Sequence, residues 1–162
     1  MTEDFDKNTY ETPPDFYGRC HQEFRFQIDA AAQPQTAKCK QFVSRDQNAL
    51  GMIFRNKRIW LNPPYGDSDY PLGVWTDWCA RMCHQYGNTI AYLIPSSTDT
   101  TWWHELVIPQ AAEVRNIRGR IHFLANGVPQ TQTRHLNSLV IWRPGMRGAQ
   151  LSSMAARLKE AV

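Results

Sequence analysis

The string Asn62-Pro63-Pro64-Tyr65 follows the apolar run Ile59-Trp60-Leu61, and few chemistries call for those four residues at the end of a strand. A planar amino nitrogen, such as the exocyclic amine of adenine, has its lone pair drawn into the ring and is a poor nucleophile towards the methyl group of a sulfonium donor. The side-chain oxygen of Asn62 and the backbone carbonyl of Pro63 can each accept one amino hydrogen, and the two prolines hold that carbonyl in a rigid direction. Preorganised acceptors of this kind pull the nitrogen towards tetrahedral and free its lone pair. Tyr65 adds a ring face on which an extruded base can stack. An amide is too weak a base to take the proton beforehand, so the string implies polarisation and in-line transfer, with the proton leaving during or after it. The same Asn-Pro-Pro turn can also close a strand with no chemistry attached, because proline removes the donors that would extend a ladder.

The elements that must position this string alternate between strand and helix. Phe24 to Ile28 alternates apolar and polar residues and ends at Asp29, after which Ala30-Ala31-Ala32 suits a tight turn. Lys38 to Val43 reads as a second short strand and Arg58 to Leu61 as the strand that carries the string. Between Asp69 and Tyr86, Trp75, Trp78, Cys79, Met82, Cys83 and Tyr86 recur every three or four residues, one buried face of a helix. Thr89 to Ile94 is a strand stopped by Pro95, and Trp102 to Ile108 a helix capped by Thr100 or Thr101. Val114 to Ile117, Ile121 to Leu124 and Leu139 to Trp142 look like strands, with a polar loop before the last. Met154, Leu158 and Val162, spaced by four, suggest a closing helix that opens at Ser152 or Ser153. Such alternation argues for an α/β fold around a mainly parallel sheet.

In sheets of this class, ligands bind outside the carboxyl ends of the strands. Asp29, Asp46 to Asn48, Asn62 and the loop Pro95 to Asp99 all fall at or just after predicted strand ends, so they can converge on one pocket. Asp29 is placed to hold a polar part of the donor, its ammonium or its ribose hydroxyls, or else to cap a helix.

With 162 residues, 42% of them hydrophobic, the chain fits one domain, 1–162, and no linker or internal repeat is evident. No apolar run approaches the ~20 residues that cross a bilayer. The segment Met1 to Tyr10 is polar and acidic without the apolar stretch of a signal peptide, so a cytoplasmic location is expected. Cys20, Cys39, Cys79 and Cys83 form no CxxC pair and are expected as reduced thiols. Cys79, Cys83 and His84 could be metal ligands, but their place on the apolar helix face argues for core, and no metal is expected. The net charge of +3 is modest, yet residues 101–150 carry six Arg against Glu105 and Glu113, whereas residues 1–30 carry seven acids. That asymmetry gives the second half the footprint of a phosphate-binding face, or of an ordinary solvated one.

Taken together, the chain resembles the phage-type DNA N6-adenine methyltransferases, the phage Dam family, over roughly Thr12 to Trp142. The resemblance rests on Thr12-Pro13-Pro14-Asp15-Phe16-Tyr17, Phe26-Gln27-Ile28-Asp29-Ala30-Ala31-Ala32, Asn48-Ala49-Leu50, the Asn62 to Tyr65 string, Leu93-Ile94-Pro95 with Thr98 to Trp103, and Gly119-Arg120-Ile121-His122-Phe123. It implies S-adenosylmethionine as donor, adenine in DNA as acceptor and a class I methyltransferase (Rossmann-like) sheet, flanked by helices and ending in an antiparallel hairpin. By the same resemblance Asn62, Pro63, Pro64 and Tyr65 are the catalytic string. Thr12 and Pro13 are the segment against the donor, Asp29 the acid at the first strand end, and Asp46 or Asn48 the contact to its adenine. Two departures stand out: three Ala replace the usual glycine-rich loop, and Phe54 stands where relatives carry Trp.

Little more than twenty residues separate Tyr65 from the next strand, which leaves no room for a target-recognition domain there. Short or relaxed sequence preference follows. The loop Ala125 to Asn137, with Asn126, Gln130, Gln132, Arg134 and His135, could reach base edges or phosphates, together with Arg118 and Arg120, or could be only a hairpin tip. A chain without a recognition domain could hold DNA with a second subunit, so a homodimer is an open partner besides DNA. Cytosine N4, an RNA base amine or a protein glutamine would pose the same chemical problem as adenine. A non-catalytic DNA-binding relative is the remaining rival. Cytosine C5 chemistry is disfavoured because it needs a nucleophilic Cys, commonly after Pro, and the chain has no Pro-Cys pair.

Overall fold

Strands β3 (Arg58–Leu61) and β4 (Thr89–Pro95) send successive side chains to opposite faces, and both faces are buried. Ile59, Leu61, Ile90, Tyr92 and Ile94 enter one core, while Trp60, Ala91 and Leu93 enter another on the far side of the sheet. A sheet apolar on both faces needs a layer on each. The computed structural model, which describes residues 10–158, supplies them. Helix α1 (Pro14–Phe24) covers the Trp60 side with Phe16, Cys20 and Phe24, and helix α2 (Leu72–His84) covers the other with Trp75, Trp78, Cys79, Met82 and Cys83. Burial of each such large side chain contributes roughly 1.5–3 kcal/mol, so the two cores dominate stability.

The remaining strands are β1 (Ile28–Asp29), β2 (Gln41–Phe42), β5 (Glu113–Arg118), β6 (Leu124–Ala125), β7 (Val128–Pro129), β8 (Asn137–Trp142) and β9 (Gln150–Ala155). Seven form one sheet in the order β2-β1-β3-β4-β8-β5-β9, and β6 and β7 make a separate small hairpin. Pairings β1 with β2, β1 with β3, β3 with β4 and β5 with β9 are parallel, whereas β8 runs antiparallel to both β4 and β5. This is the expected α/β class I methyltransferase sheet. Of its two antiparallel pairs, β5 with β8 is the sequential one, joined by the long connection 119–136 rather than a tight turn.

Local expectations fail where tertiary contacts win. The expected strand from Phe24 shrinks to Ile28–Asp29, because Pro14 opens a helix that runs to Phe24 and Arg25 closes it in the left-handed region (φ 54). Alternation at Phe24, Phe26 and Ile28 is real but serves packing: the rings of Phe24 and Phe26 stack at 5.6 Å. Strand β2 is likewise shorter than Lys38 to Val43. Between Trp103 and Val107 the backbone widens into a π-helical turn before a short α3 (Ile108–Gln110). Pro109 accounts for this, since a proline ring clashes with the carbonyl four residues back in a regular α-helix. Ile121 and Phe123 are buried without joining a ladder, and only Leu124 of that expected strand is paired.

The expected closing helix is incorrect. Gln150–Ala155 is strand β9, in register with β5 from Glu113 to Arg118, and Arg19 donates from its two terminal nitrogens to the carbonyls of Ala155 and Ala156 at 2.9 Å. An open sheet edge offering a row of partners overrides a four-residue apolar spacing that buries nothing, as Leu158 is 68% exposed. Val162 and most of the acidic N-terminal segment lie outside the described residues. Among the described residues no helix is long and apolar enough to cross a membrane.

Two of the six Arg of residues 101–150 are consumed in holding α1 to this edge. Arg115 donates to Glu23 at 2.7 Å and to Glu113 at 2.9 Å, and Arg143 reaches Glu23 at 3.5 Å. Hydrogen bonds from Arg115 hold both carboxyl groups below their usual range. Arg115→Met should lower stability by roughly 1–2 kcal/mol near neutral pH, a figure discounted because Glu23 is partly exposed. Depressed carboxylate pKa values add stability above their unfolded value and lose it as pH falls through the folded one. Urea titrations should therefore show the difference between wild type and variant shrinking below pH ~4; a difference that persists there would mean that the variant has disturbed packing rather than charge.

Candidate functional site

Three parallel strands, β2, β1 and β3, end at the same edge of the sheet, and the loops that follow them enclose a cavity of about 480 Å³. That size falls within the ~300–1,000 Å³ of small-molecule sites. Its walls are Ala30 to Gln33 and Thr36 after β1, Ser44, Arg45, Asn48 and Ala49 after β2, and Asn62 with Pro64 and Gly66 to Tyr70 after β3. Tyr10 and Trp75 complete it. The expected convergence of strand-end residues is therefore real for Asn48 and Asn62.

Asn62 is held at both ends of its amide. Its Nδ2 donates to the hydroxyl of Thr12 at 3.0 Å, and its Oδ1 accepts from the Tyr65 hydroxyl at 3.0 Å. The same phenol lies 3.1 Å from the carbonyl of Leu93 and accepts from Asn137 Nδ2 at 3.3 Å. Burial pushes its pKa far up, so it is a neutral donor at any working pH. Thr12 is almost fully buried, set there by Pro13 at the N-cap of α1 and by the bridge between Glu11 and Leu124. Thr12 thus contacts the Asn62 amide directly. Pro63 is buried, and the ring of Tyr65 packs against both cores. The rings of Phe123 and His135 stand perpendicular to the Tyr65 ring, at centroid distances of 6.1 and 5.7 Å.

Asp29 and Asp46 are placed differently from expectation. Asp29 is 2% exposed and does not line the cavity; its carboxylate accepts from the backbone amides of Ala31 at 3.3 Å and Lys38 at 3.0 Å. It braces the alanine turn that forms the wall. Asp46 is exposed and also absent from the cavity wall, so of the pair Asp46 and Asn48 only Asn48 lines it. Asn48 sits in the left-handed region (φ 55) and caps the short 3-10 turn Ala49–Gly51, its Oδ1 accepting from Leu50 N at 3.1 Å.

Arg45 escaped sequence reasoning. It follows β2, yet it reaches across the end of β1 to Asp67 at 3.0 Å and Asp69 at 3.1 Å, which follow β3. Its guanidinium also lies 5.1 Å from the Tyr70 ring centroid. These contacts roof the cavity, and no local pattern announces them. Asn137 was visible only as the end of a polar loop. Among the described residues no group of three or more His, Cys, Asp and Glu could hold a metal ion; Cys79 and Cys83 are core residues of α2.

Of the residues expected to meet DNA, Arg118, Arg120, Arg134 and His135 are all exposed on the connection between β5 and β8 and at its start. His135 is brought to Tyr65, and Arg120 donates to the carbonyl of Thr133 at 2.6 Å, which ties the two ends of that connection.

A sheet of this topology with an Asn-Pro-Pro-Tyr string at the carboxyl end of a central strand, beside a small-molecule cavity, defines the class of amino-directed class I methyltransferases. The family model described as DNA N-6-adenine-methyltransferase (Dam) matches residues 1–160, and the chain belongs to that family. It is similar to the DNA N-6-adenine-methyltransferase of Haemophilus phage HP1, 27% identical over 98% of this chain and 92% of that protein. It also resembles the enzyme of the same description from Escherichia phage T1, 32% identical over 50% of this chain, an alignment that spans only 32% of that longer relative.

The buried carboxyl of Asp29 gives a sharp test of the wall. Burial raises its pKa from 3.8 to about 6, against the pull of the two backbone amides. A raised folded pKa means stability that is full below the unfolded value and lost as pH rises through the folded one. The stability of wild type relative to Asp29→Asn should therefore fall by roughly 3 kcal/mol between pH ~4 and pH ~7 in denaturant titrations. A pH-independent difference would show that the carboxyl is not desolvated.

Proposed function

We propose that this protein transfers the methyl group of S-adenosylmethionine to the N6 amino group of adenine in DNA, in the cytoplasm of a phage host. The observation that carries the proposal is the Asn62 amide on the cavity wall, whose nitrogen donates to Thr12 and whose oxygen accepts from Tyr65. An oxygen so oriented accepts an amino hydrogen and cannot offer a competing donor.

The cavity fits a donor of this kind in size and lining. Ala30 to Ala32 present only methyl groups, which permits close approach of a ligand to the turn, and Asn48 offers an amide opposite Asn62 in the strand order. S-adenosylmethionine would supply a methyl group on positively charged sulfur. Ala30 to Gln33, Asn48 and the segment Thr12-Pro13 would hold it, Thr12 acting through Asn62. The Asn62 oxygen and the Pro63 carbonyl accept the two amino hydrogens, so that the nitrogen lone pair is available to form the new bond in line with the one that breaks. One N–H proton then leaves to water, and no side chain need act as base. Tyr65 and His135 border the position of the extruded base, and Arg118, Arg120 and Arg134 meet the phosphates of the strand. With a small connection rather than a second domain near the site, the sequence preference is short or relaxed.

Incubation with labelled donor and unmethylated DNA, followed by mass spectrometry of nucleosides, should yield N6-methyladenine, and sequencing the product should reveal a short context. Asn62→Ala should lower the rate by roughly a hundredfold or more while donor binding stays measurable. N4-methylcytosine, modified RNA or modified glutamine would replace adenine as the substrate, and an undiminished rate would remove Asn62 from the chemistry.

The basic connection makes a second, electrostatic prediction. Removal of one cation that neutralises a DNA phosphate should flatten the dependence of log K on log salt by about 0.9. Arg118→Ala combined with Arg134→Ala should thus reduce the slope for duplex binding by about 1 to 2; an unchanged slope would place the DNA elsewhere.

A further inference from the structure

Strand β8 is the one member of the sheet that runs antiparallel to its neighbour at the site, and its first residue, Asn137, pairs with Pro95 at the carboxyl end of β4. An antiparallel strand therefore brings its beginning to the edge where the parallel strands bring their ends. Asn137 is 3% exposed and lies on the same side of the strand as Leu139 and Ile141, towards α1, the side from which Thr12 approaches Asn62. Its amide nitrogen donates to the Tyr65 hydroxyl.

The donors in this network all point one way. Asn137 Nδ2 donates to the phenol oxygen, the phenol proton is shared between Asn62 Oδ1 and the Leu93 carbonyl, and Asn62 Nδ2 donates to Thr12. A phenol has one proton, and its oxygen, conjugated with the ring, accepts one strong hydrogen bond. With that acceptor taken by Asn137, a flipped Asn62 would bring its NH₂ against an oxygen already in use, and the half-buried amide would forfeit a partner. Flipping matters for the chemistry: a reversed Asn62 would present a donor, instead of an acceptor, to an incoming amino group.

We infer that Asn137 is a positioning residue that, through the Tyr65 hydroxyl, sets the polarity of the Asn62 amide and so keeps an acceptor facing the amino group to be methylated. The inference rests on the methyl-transfer reading above. Asn137 touches no substrate; it acts through Tyr65. The phenol has a second function beside the ring face offered to a base: it carries the orientation from β8 to the catalytic amide. The Leu93 carbonyl gives the phenol proton an alternative acceptor, so that when an amino hydrogen arrives, Asn62 Oδ1 can yield that bond without stranding the hydroxyl.

Reversal of the network is the test. An ionised carboxylate at position 137 accepts, so in Asn137→Asp, assayed at alkaline pH because burial raises such a carboxyl, the phenol proton turns towards it and the phenol oxygen turns to accept from Asn62, flipping the amide. In the wild-type background Asn137→Asp should lower kcat by about tenfold or more, with KM for DNA and donor affinity by calorimetry nearly unchanged. In a Tyr65→Phe background, where no hydroxyl transmits the reversal, the same substitution should cost less than about threefold. Asn137→Ala, which removes the donor without reversing it, should fall between wild type and Asn137→Asp in kcat and also retain donor binding. Fluorescence of a duplex with 2-aminopurine at the target position should report undisturbed base capture in every Asn137 variant. Equal losses from Asn137→Asp in both backgrounds, or full activity of Asn137→Ala, would overturn the inference, and Asn137→Ala decides it alone if the aspartate variant fails to bind donor. A wild-type protein that methylates no adenine would instead defeat the underlying reading, so the two failures are distinct.

Discussion

The architecture depends on the position of β3 between β1 and β4, parallel to both and buried on both faces. A central strand has no freedom to slip, because a one-residue shift would exchange Ile59 and Leu61 with Trp60 between two differently shaped cores. Its end is therefore a fixed point. Two prolines after Asn62 forbid any continuation of the ladder and turn the chain out of the sheet within one residue of that point. The loop then returns to Pro71 and α2, whose first turn is anchored where Tyr92 donates to the Leu72 carbonyl at 3.1 Å. Both ends of the segment carrying the amide are thus tied to the same central strands.

The cavity is bounded by polar contacts of unequal strength. On the amide side, buried Thr12 and Asn137 and half-buried Asn62 and Tyr65 exchange hydrogen bonds, each contributing about 0.5–1.5 kcal/mol, and each buried group left unmet costs about 1–3 kcal/mol. Loss of any partner is therefore expensive, and the network has essentially one arrangement. On the roof, Arg45 meets Asp67, whose side chain is 7% exposed, and Asp69, whose side chain is 74% exposed; with Arg45 itself 45% exposed, the Asp69 pair contributes little and both are partly screened by salt. A site built in this way has a rigid chemical wall and a labile cover. That division suits a binding cavity that must exchange its contents while the reacting geometry stays fixed.

Much of this was legible in the sequence wherever local pattern and tertiary role coincide. Strand β3 appears at its expected bounds, α2 at its expected face, and the Asn62 string at the strand end where its prolines demanded a turn. Failures occur where one local pattern served another purpose. Phe24 and Phe26 alternate like a strand but are the end of a helix and the start of a turn, and the spacing of Met154 and Leu158 mimics a helix that the open edge of β5 overrides. In the site, Asn62 was legible because it follows β3 directly, and Asn48 because it lies in the loop after β2 within a segment that resembles the family. Asn137 and Arg45 were not, since their roles arise from strand order: one from the antiparallel course of β8 beside β4, the other from a reach across β1. Charge counting was misleading in part for the same reason, as Arg115 and Arg143 belong to an internal cluster with Glu23 and Glu113.

The alanine turn after β1 shows how a wall can form without the glycines usual at such positions. Glycine serves where φ must be positive, and none of Ala30, Ala31 and Ala32 adopts a positive φ. The turn is instead closed by Asp29, whose two oxygens take one amide from within it and one from Lys38 beyond it. Lys38 helps mainly with its backbone amide, and its ammonium, paired with Glu11 at 2.5 Å and lying over the Tyr17 ring, adds a weaker attraction from a distance. The carboxylate thus has two directed hydrogen bonds but no direct countercharge, and desolvation outweighs both, which is why its pKa rises where paired aspartates fall. Substituting a buried acid for glycine exchanges conformational freedom for electrostatic strain. The turn gains small, rigid side chains that allow a ligand to come close, and the cost is borne by one buried carboxyl group that does not line the cavity.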